Sequence, residues 1–422
     1  DLMSNECGNQ KGELGPFMAR IAFILLCHKD PNAIIAQARR LTAGGDFVAI
    51  HFDARSSDSD YAEIVTQLSE NADVVFPKKR VKCGWGEWSL VEASLNSVRA
   101  AEAAFPEATH FYMISGDCMP TKSAAHAHEW LAARDRDYIE CFDFLTSDWI
   151  KTGFREERVI YRHYFNERTQ SRLFYGALML QQKLGMKRTP PADLKLRIGS
   201  QWWCLRRKSV EALLEFCDER ADVVRFFRTT WIPDETFFQT LVFHLVPERE
   251  IESRTLTLLM FSDYGLPVTF YNDHFDFLIA QEGLFARKIS PEAENLKARL
   301  GDLWQSDRVE FETSDEGPGL YQYLRHHGRS GLRFSPRFWE TSGSLGADRE
   351  VLLLSCKKWH VAKRLLDQAR NGLGIVGVEY AFQEEDCPLP WFGGLSSSRE
   401  KRGRHRRAYT RLLFDHHDTD HL

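Results

Sequence analysis

The feature that most restricts the fold of this chain is a series of short apolar runs, each ending in a polar tail and alternating with helix-like segments. Ile21–Cys27 is apolar throughout and is followed by Cys27-His28-Lys29-Asp30-Pro31, which reads as a buried strand. A helical stretch (Ala33–Leu41), a Gly44-Gly45 turn and a second strand (Phe47–Phe52) come next. Helix Tyr61–Ser69 leads to strand Ala72–Phe76, and helix Leu90–Ala104 leads to strand His110–Ser115. Strands alternating with amphipathic helices predict an α/β domain around a mainly parallel sheet.

In such sheets ligands sit beyond the carboxyl ends of the strands. The tails there are CysHisLys (27–29), AspAlaArg (53–55) and SerGlyAspCysMetPro (115–120). Taken singly, Asp53 and Asp117 read as turn or helix caps. Three polar tails in register point instead to a site.

At 422 residues the chain exceeds one compact domain and holds one large domain plus part of another. Hydrophobic residues make up 43% and charged residues 27%, a globular balance, and the 12% aromatics read as core. A net charge of −5 excludes a global basic field for nucleic acid. Nine cysteines are scattered singly, with no CxxC pair and no zinc-like His/Cys spacing, which fits a reducing compartment. Ile21–Cys27 is too short to cross a bilayer, and no leader is visible. The expectation is therefore a cytoplasmic, bacterial-type protein.

Residues 1–18 read as a disordered segment, 19–300 as the α/β domain, 301–346 as a linker or irregular subdomain, and 347–422 as an incomplete second α/β domain. In that last region strand Val351–Ser355, a basic turn with Lys357-Lys358, a helix to Ala369 and strand Ile375–Tyr380 are expected. The run Arg399–Arg407 reads as a solvated face, with peripheral attachment to anionic lipid at the inner membrane face as the sharper alternative. Between Thr146 and Arg197 the chain is rich in Arg, Lys, Tyr and Phe, including Lys151, Arg155 and Arg158. Farther on, Pro233-Asp234-Glu235 places two carboxylates at the start of a helix, where the dipole favours their ionised form. The Asp-x-Asp sequences Asp58-Ser59-Asp60 and Asp135-Arg136-Asp137 do not follow a strand and read as solvated surface rather than as metal ligands.

CysHisLys (27–29), HisPheAsp (51–53), TrpGlyGluTrpSerLeuValGluAla (85–93), SerGlyAspCysMetPro (115–120), GlySerGlnTrpTrp (199–203), ProAspGlu (233–235) and AlaArgLys (286–288) occur in that order. Together, over roughly residues 20–300, they resemble the core-2/I-branching β-1,6-N-acetylglucosaminyltransferases and the related peptide O-xylosyltransferases. The resemblance implies a GT-A-type fold, inversion at the anomeric carbon, a UDP-sugar co-substrate and no cofactor or metal. It implies Glu235 as the base, with Asp234 as a cap, and Arg254 and Lys288 holding the diphosphate; Arg287 is a neighbour able to substitute. Donor contacts carried over by motif are Leu26, Cys27, His28, Asp53, Ala54, Arg55, Trp85 and Asp117. Acceptor contacts carried over are Glu140, Arg155, Arg158, Gln201 and Trp202. The donor sugar is expected to be GlcNAc or xylose, and the acceptor a glycan or protein hydroxyl.

The chemistry agrees with that reading. Sugar transfer from UDP needs a base for the acceptor hydroxyl and positive charge for the departing diphosphate. A dinucleotide oxidoreductase would carry GxGxxG after the first strand, where CysHisLysAspPro stands here. Two alternatives remain open at this level: a catalytically silent UDP-sugar or glycan-binding module of polysaccharide assembly, and a metal-dependent retaining transferase.

Overall fold

The computed structural model describes residues 18–150, 153–260, 267, 269–270, 272–291, 293–314 and 359–373. Twelve strands lie in three sheets among these residues. The central sheet has seven: β1 (Ile21–Cys27), β2 (Phe47–Phe52), β3 (Val74–Val75), β4 (His110–Ser115), β6 (Asp137–Tyr138), β9 (Cys204–Arg206) and β10 (Ile251–Glu252). Its order is β10-β6-β9-β4-β1-β2-β3, and only β9 runs antiparallel to its neighbours. A three-stranded sheet joins β5 (Met119–Pro120), β11 (Thr257–Leu259) and β12 (Phe285–Arg287), and a two-stranded one joins β7 (Phe142–Asp143) to β8 (Arg197–Ile198). The expected mixed α/β domain with a mainly parallel sheet is what the chain forms.

The helices of the first half are α1 (Pro31–Ala43), α2 (Asp58–Leu68), α3 (Trp88–Ala104), α4 (Ala124–Ala132), α5 (Glu157–Ile160) and α6 (Ser171–Lys183). Those of the second half are α7 (Arg207–Glu219), α8 (Ala221–Phe227), α9 (Phe237–Leu245), α10 (Phe275–Ile279), α11 (Glu294–Trp304) and α12 (Trp359–Leu373). Local chemistry sets several of their starts. Asp30 accepts the Ala33 N–H and Pro31 opens α1, while Ser57 and Ser123 cap α2 and α4 in the same way.

Strand β1 is the centre of the molecule. Ile21 to Leu25 are all inaccessible to solvent, and each large side chain buried there contributes about 1.5–3 kcal/mol. Phe23 packs against Tyr112, Phe285 and Trp304, so the small sheet and α11 close over one face of the central sheet. No helix among the described residues is long and apolar enough to cross a membrane.

Two expectations change. The third strand shrinks from Ala72–Phe76 to Val74–Val75, because it pairs only with β2 at the sheet edge. Asp137 is not solvated: it is fully buried, bound by Arg206 Nη2 at 2.6 Å and by the Ser209 hydroxyl at 2.6 Å. Asp58 is solvated as expected, opening α2 with an exposed carboxylate that also meets Arg80. The six described cysteines are all free thiols. The segments Val351–Ser355, Lys357-Lys358, Ile375–Tyr380 and Arg399–Arg407, together with Lys151 and residues 1–17, lie outside the described residues.

Candidate active site

Sheet register brings the three polar tails together. Cys27 pairs with Phe52 and Leu26 with both His51 and Ser115, so His28, Asp53 and Gly116-Asp117 emerge side by side. They open into one cavity of about 280 Å³. Leu26, Cys27, His28, Asp53, Asp117, Gln201, Trp202 and Lys288, all anticipated from sequence, line it.

The cavity floor is fixed by hydrogen bonds. The Asp53 N–H donates to the Cys27 carbonyl at 2.9 Å, and its carboxylate accepts the N–H groups of Arg55 at 2.7 Å and Cys83 at 3.2 Å. His51 accepts the Val81 N–H on Nε2 at 2.9 Å, and burial lowers its pKa to about 4, so it stays neutral. Burial, reinforced by Asp53, pushes the Cys27 thiol far up and the Cys83 thiol up to about 12. Neither is a nucleophile near neutral pH.

Positive charge gathers in the same cavity. Asp117 lies between Lys29 Nζ at 3.6 Å and Lys288 Nζ at 4.0 Å. Burial lowers the Lys288 pKa, with Asp117 acting against it and Arg287 and Lys29 adding to it. Arg287 also lines the cavity, and its guanidinium stacks over Trp202 at 4.2 Å. Arg40 and Lys297 approach from helices α1 and α11, with Arg40 Nη1 donating to the Lys297 carbonyl at 3.2 Å. A Cβ at Gly301 would overlap the Arg40 side chain, so the missing side chain there makes room for the arginine. Lys29, Arg40 and Lys297 were not singled out from sequence. Lys29 stands inside the CysHisLys motif, whereas nothing local marks the other two.

Arg254 does not line this cavity. It is held by Glu252 at 2.6 Å and Glu282 at 3.0 Å, beside the paired rings of Trp130 and Tyr138. Ala54 and Arg55 lie on the turn behind Asp53, where Arg55 approaches Glu87 at 4.0 Å. Trp85 is also outside the cavity lining. Arg168 stacks on its ring at 3.8 Å, and it meets Trp231 edge-on at 6.1 Å.

A second polar cluster adjoins the cavity through the loop Gly199–Trp202. The Gly199 N–H donates to the Glu235 carbonyl at 3.0 Å, and the Ser200 N–H donates to the Glu140 carboxylate at 3.1 Å. Gln239 Nε2 donates to the Ser200 carbonyl at 2.7 Å. Glu235 ends the 3₁₀ turn Pro233–Glu235, and its Oε2 accepts from Arg158 Nη1 at 2.9 Å. Arg158 is only 8% exposed, its Nε bonded to the Phe154 carbonyl, whereas Glu235 is 30% exposed. Arg155 is exposed and donates to the Ile150 carbonyl.

Asp234 does not cap a helix. Its Oδ1 is enclosed without a hydrogen-bond partner, and α9 begins at Phe237 with no side-chain cap. Burial, then the Glu235 charge, raises the Asp234 pKa to about 7. Ile232, just before the Pro233–Glu235 turn, holds a left-handed φ of 52°, and its N–H donates to the Gly86 carbonyl at 3.0 Å. A β-branched residue is costly in that region, so the turn is imposed by its surroundings. Among the described residues no cluster of three or more His, Cys, Asp or Glu side chains could hold a metal ion.

A mainly parallel α/β sheet, with a polar cavity at the strand carboxyl ends that is lined by several cations, defines the class: a GT-A-like glycosyltransferase domain for a nucleotide sugar. Residues 21–275 match the Core-2/I-Branching enzyme family, and the chain belongs to it. Residues 287–422 match a family of unknown function (DUF5928). No curated protein matches the chain.

Proposed function

We propose that this glycosyltransferase moves GlcNAc or xylose from a UDP-sugar to an acceptor hydroxyl with inversion and without a metal ion. The observation that carries the reading is the meeting of three strand tails with Arg287 and Lys288 around one cavity, beside the Glu235 turn. His28 and Asp53 would hold the nucleotide side of the donor. Glu235, oriented by Arg158, would take the proton of the acceptor hydroxyl. That oxygen would form its bond to the anomeric carbon as the bond to the diphosphate breaks, and UDP would leave with the electron pair.

Of the cations lining the cavity, which include Lys29, Arg40 and Lys297, Lys288 and Arg287 would face the departing diphosphate. A cation about 4 Å from the leaving oxygen contributes about 4 kcal/mol at an effective dielectric near 20. Felt only in the transition state, that amounts to roughly three decades in rate. Arg254, carried over by resemblance, would have to leave Glu252 and Glu282 to join them. Glu140 and the loop Gly199–Trp202 would face the acceptor.

UDP release measured over a panel of UDP-sugars, with and without excess EDTA, tests this reading. Turnover with one donor should survive EDTA, and Glu235→Gln should lower kcat at least about 100-fold with little change in donor affinity. A rate that vanishes with EDTA and returns with Mn²⁺ would overturn the metal-free mechanism. Near-normal turnover in folded Glu235→Gln would remove Glu235 as the base.

A further inference from the structure

Helix α6 carries two apolar stripes, and only one of them is buried. Phe174, Leu178 and Gln181 face inward, with Phe174 stacked among Phe154, His163 and Trp231. Leu173, Ala177, Leu180 and Leu184 follow one another at i, i+4, i+7 and i+11, which lines them up along a second face. The three leucines on that face are exposed, Leu184 at 61%, and Met179 and Met186 beside them are exposed at 67% and 49%. Exposed apolar area of this extent marks a surface that meets something other than water.

The charge around the stripe indicates what it meets. Residues 161–190 hold Arg162, Arg168, Arg172, Lys183, Lys187 and Arg188 against a single acid, Glu167, in a chain whose net charge is −5. Arg162, Arg172, Lys183 and Lys187 are exposed, and among the described residues none of these four has a carboxylate partner. On the helical wheel Arg172 and Lys183 lie together along one edge of the leucine stripe, and the buried face of Phe174, Leu178 and Gln181 forms the other. An apolar stripe with cations along its solvent-side edge suits the boundary between anionic headgroups and acyl chains.

We infer that the exposed face of α6, with the Leu184–Lys187 turn, docks on an anionic lipid surface. Its inward face packs on Trp231, four residues before Glu235, so docking would hold the Glu235 side of the molecule near the bilayer. An acceptor would then be met at the membrane surface.

The full chain is sedimented with vesicles of mixed phosphatidylglycerol and phosphatidylcholine, and with phosphatidylcholine vesicles alone. Retention is expected on the mixed vesicles only, and it should weaken as salt rises. Leu173→Asp combined with Leu180→Asp, and separately Arg172→Glu combined with Lys183→Glu, should each lower vesicle affinity at least about tenfold. Circular dichroism confirms folding, and if the leucine variant unfolds, the charge variant carries the test. The proposal is overturned if the wild type is not retained, or if folded variants bind as well as it does. It is equally overturned if light scattering shows a dimer that the leucine variant loses, with no vesicle retention; the face would then pair two copies.

Discussion

Asp234 and Glu235 share one turn, yet their carboxyls meet different surroundings. Glu235 is one-third exposed and held by Arg158, while Asp234 has an enclosed oxygen with no partner and a pKa raised to about 7. Between the ordinary carboxylate range and pH 7 the folded state keeps a proton on Asp234 that the unfolded state has released. Stability therefore falls as pH rises through that window, and levels off above it. Asp234→Asn, neutral at every pH, should raise stability near pH 8 by on the order of 2 kcal/mol and flatten the slope. Melting curves between pH 5 and pH 8 on the two proteins check this; parallel curves would mean that Asp234 is ionised in the folded state throughout.

The loop Gly199–Trp202 shows how one element links the two halves of the site. Its backbone bonds Glu235 and Glu140, and its side chains Gln201 and Trp202 reach the cavity. Such closeness needs a glycine, since a Cβ at Gly199 would overlap the backbone carbonyl of Glu140. Gly199→Ala should cost about 1–3 kcal/mol in stability and reduce turnover by more than that loss explains, as the loop shifts. Thermal melting with a kinetic assay below the melting range separates the two effects. A stapling contact of another kind is made by Lys122, a buried lysine at the start of α4. Its Nζ donates to the carbonyls of Ile279 at 2.7 Å and Gln281 at 2.5 Å, tying α4 to the end of α10. Lys122→Met would leave those carbonyls without a donor, at about 1–3 kcal/mol.

For the whole molecule, the cavity proposed for the donor is assembled from distant parts of the chain. Its lining runs from Leu26 to Lys297 and crosses from the residues of the Core-2/I-Branching match into those of the family of unknown function. A ligand that binds only this assembled form must stabilise the fold. UDP at about 100 times its dissociation constant should add about 2.7 kcal/mol, read as a higher melting temperature. Lys288→Met should lose most of that shift while its own melting temperature in buffer stays close to wild type. An undiminished UDP shift in Lys288→Met would place the diphosphate elsewhere.

Read alone, the sequence determined the order of strands and helices and the level at which the polar tails end. The bounds of β1, β2 and β4 coincide with their apolar runs, because continuous burial on both faces leaves no other pattern for a parallel strand. It also marked His28, Asp53, Asp117 and Lys288, which adjoin those strands or the AlaArgLys motif. What only the tertiary structure decided are the partnerships across long separations. Arg158 meets Glu235, Arg254 turns to Glu252 and Glu282, Arg287 takes the cavity wall, and Asp137 is buried by Arg206. A charged side chain reads the same in sequence whether it is solvated or paired. Its partner is set by which elements the sheet brings within a few ångströms, and periodicity along the chain carries no record of that.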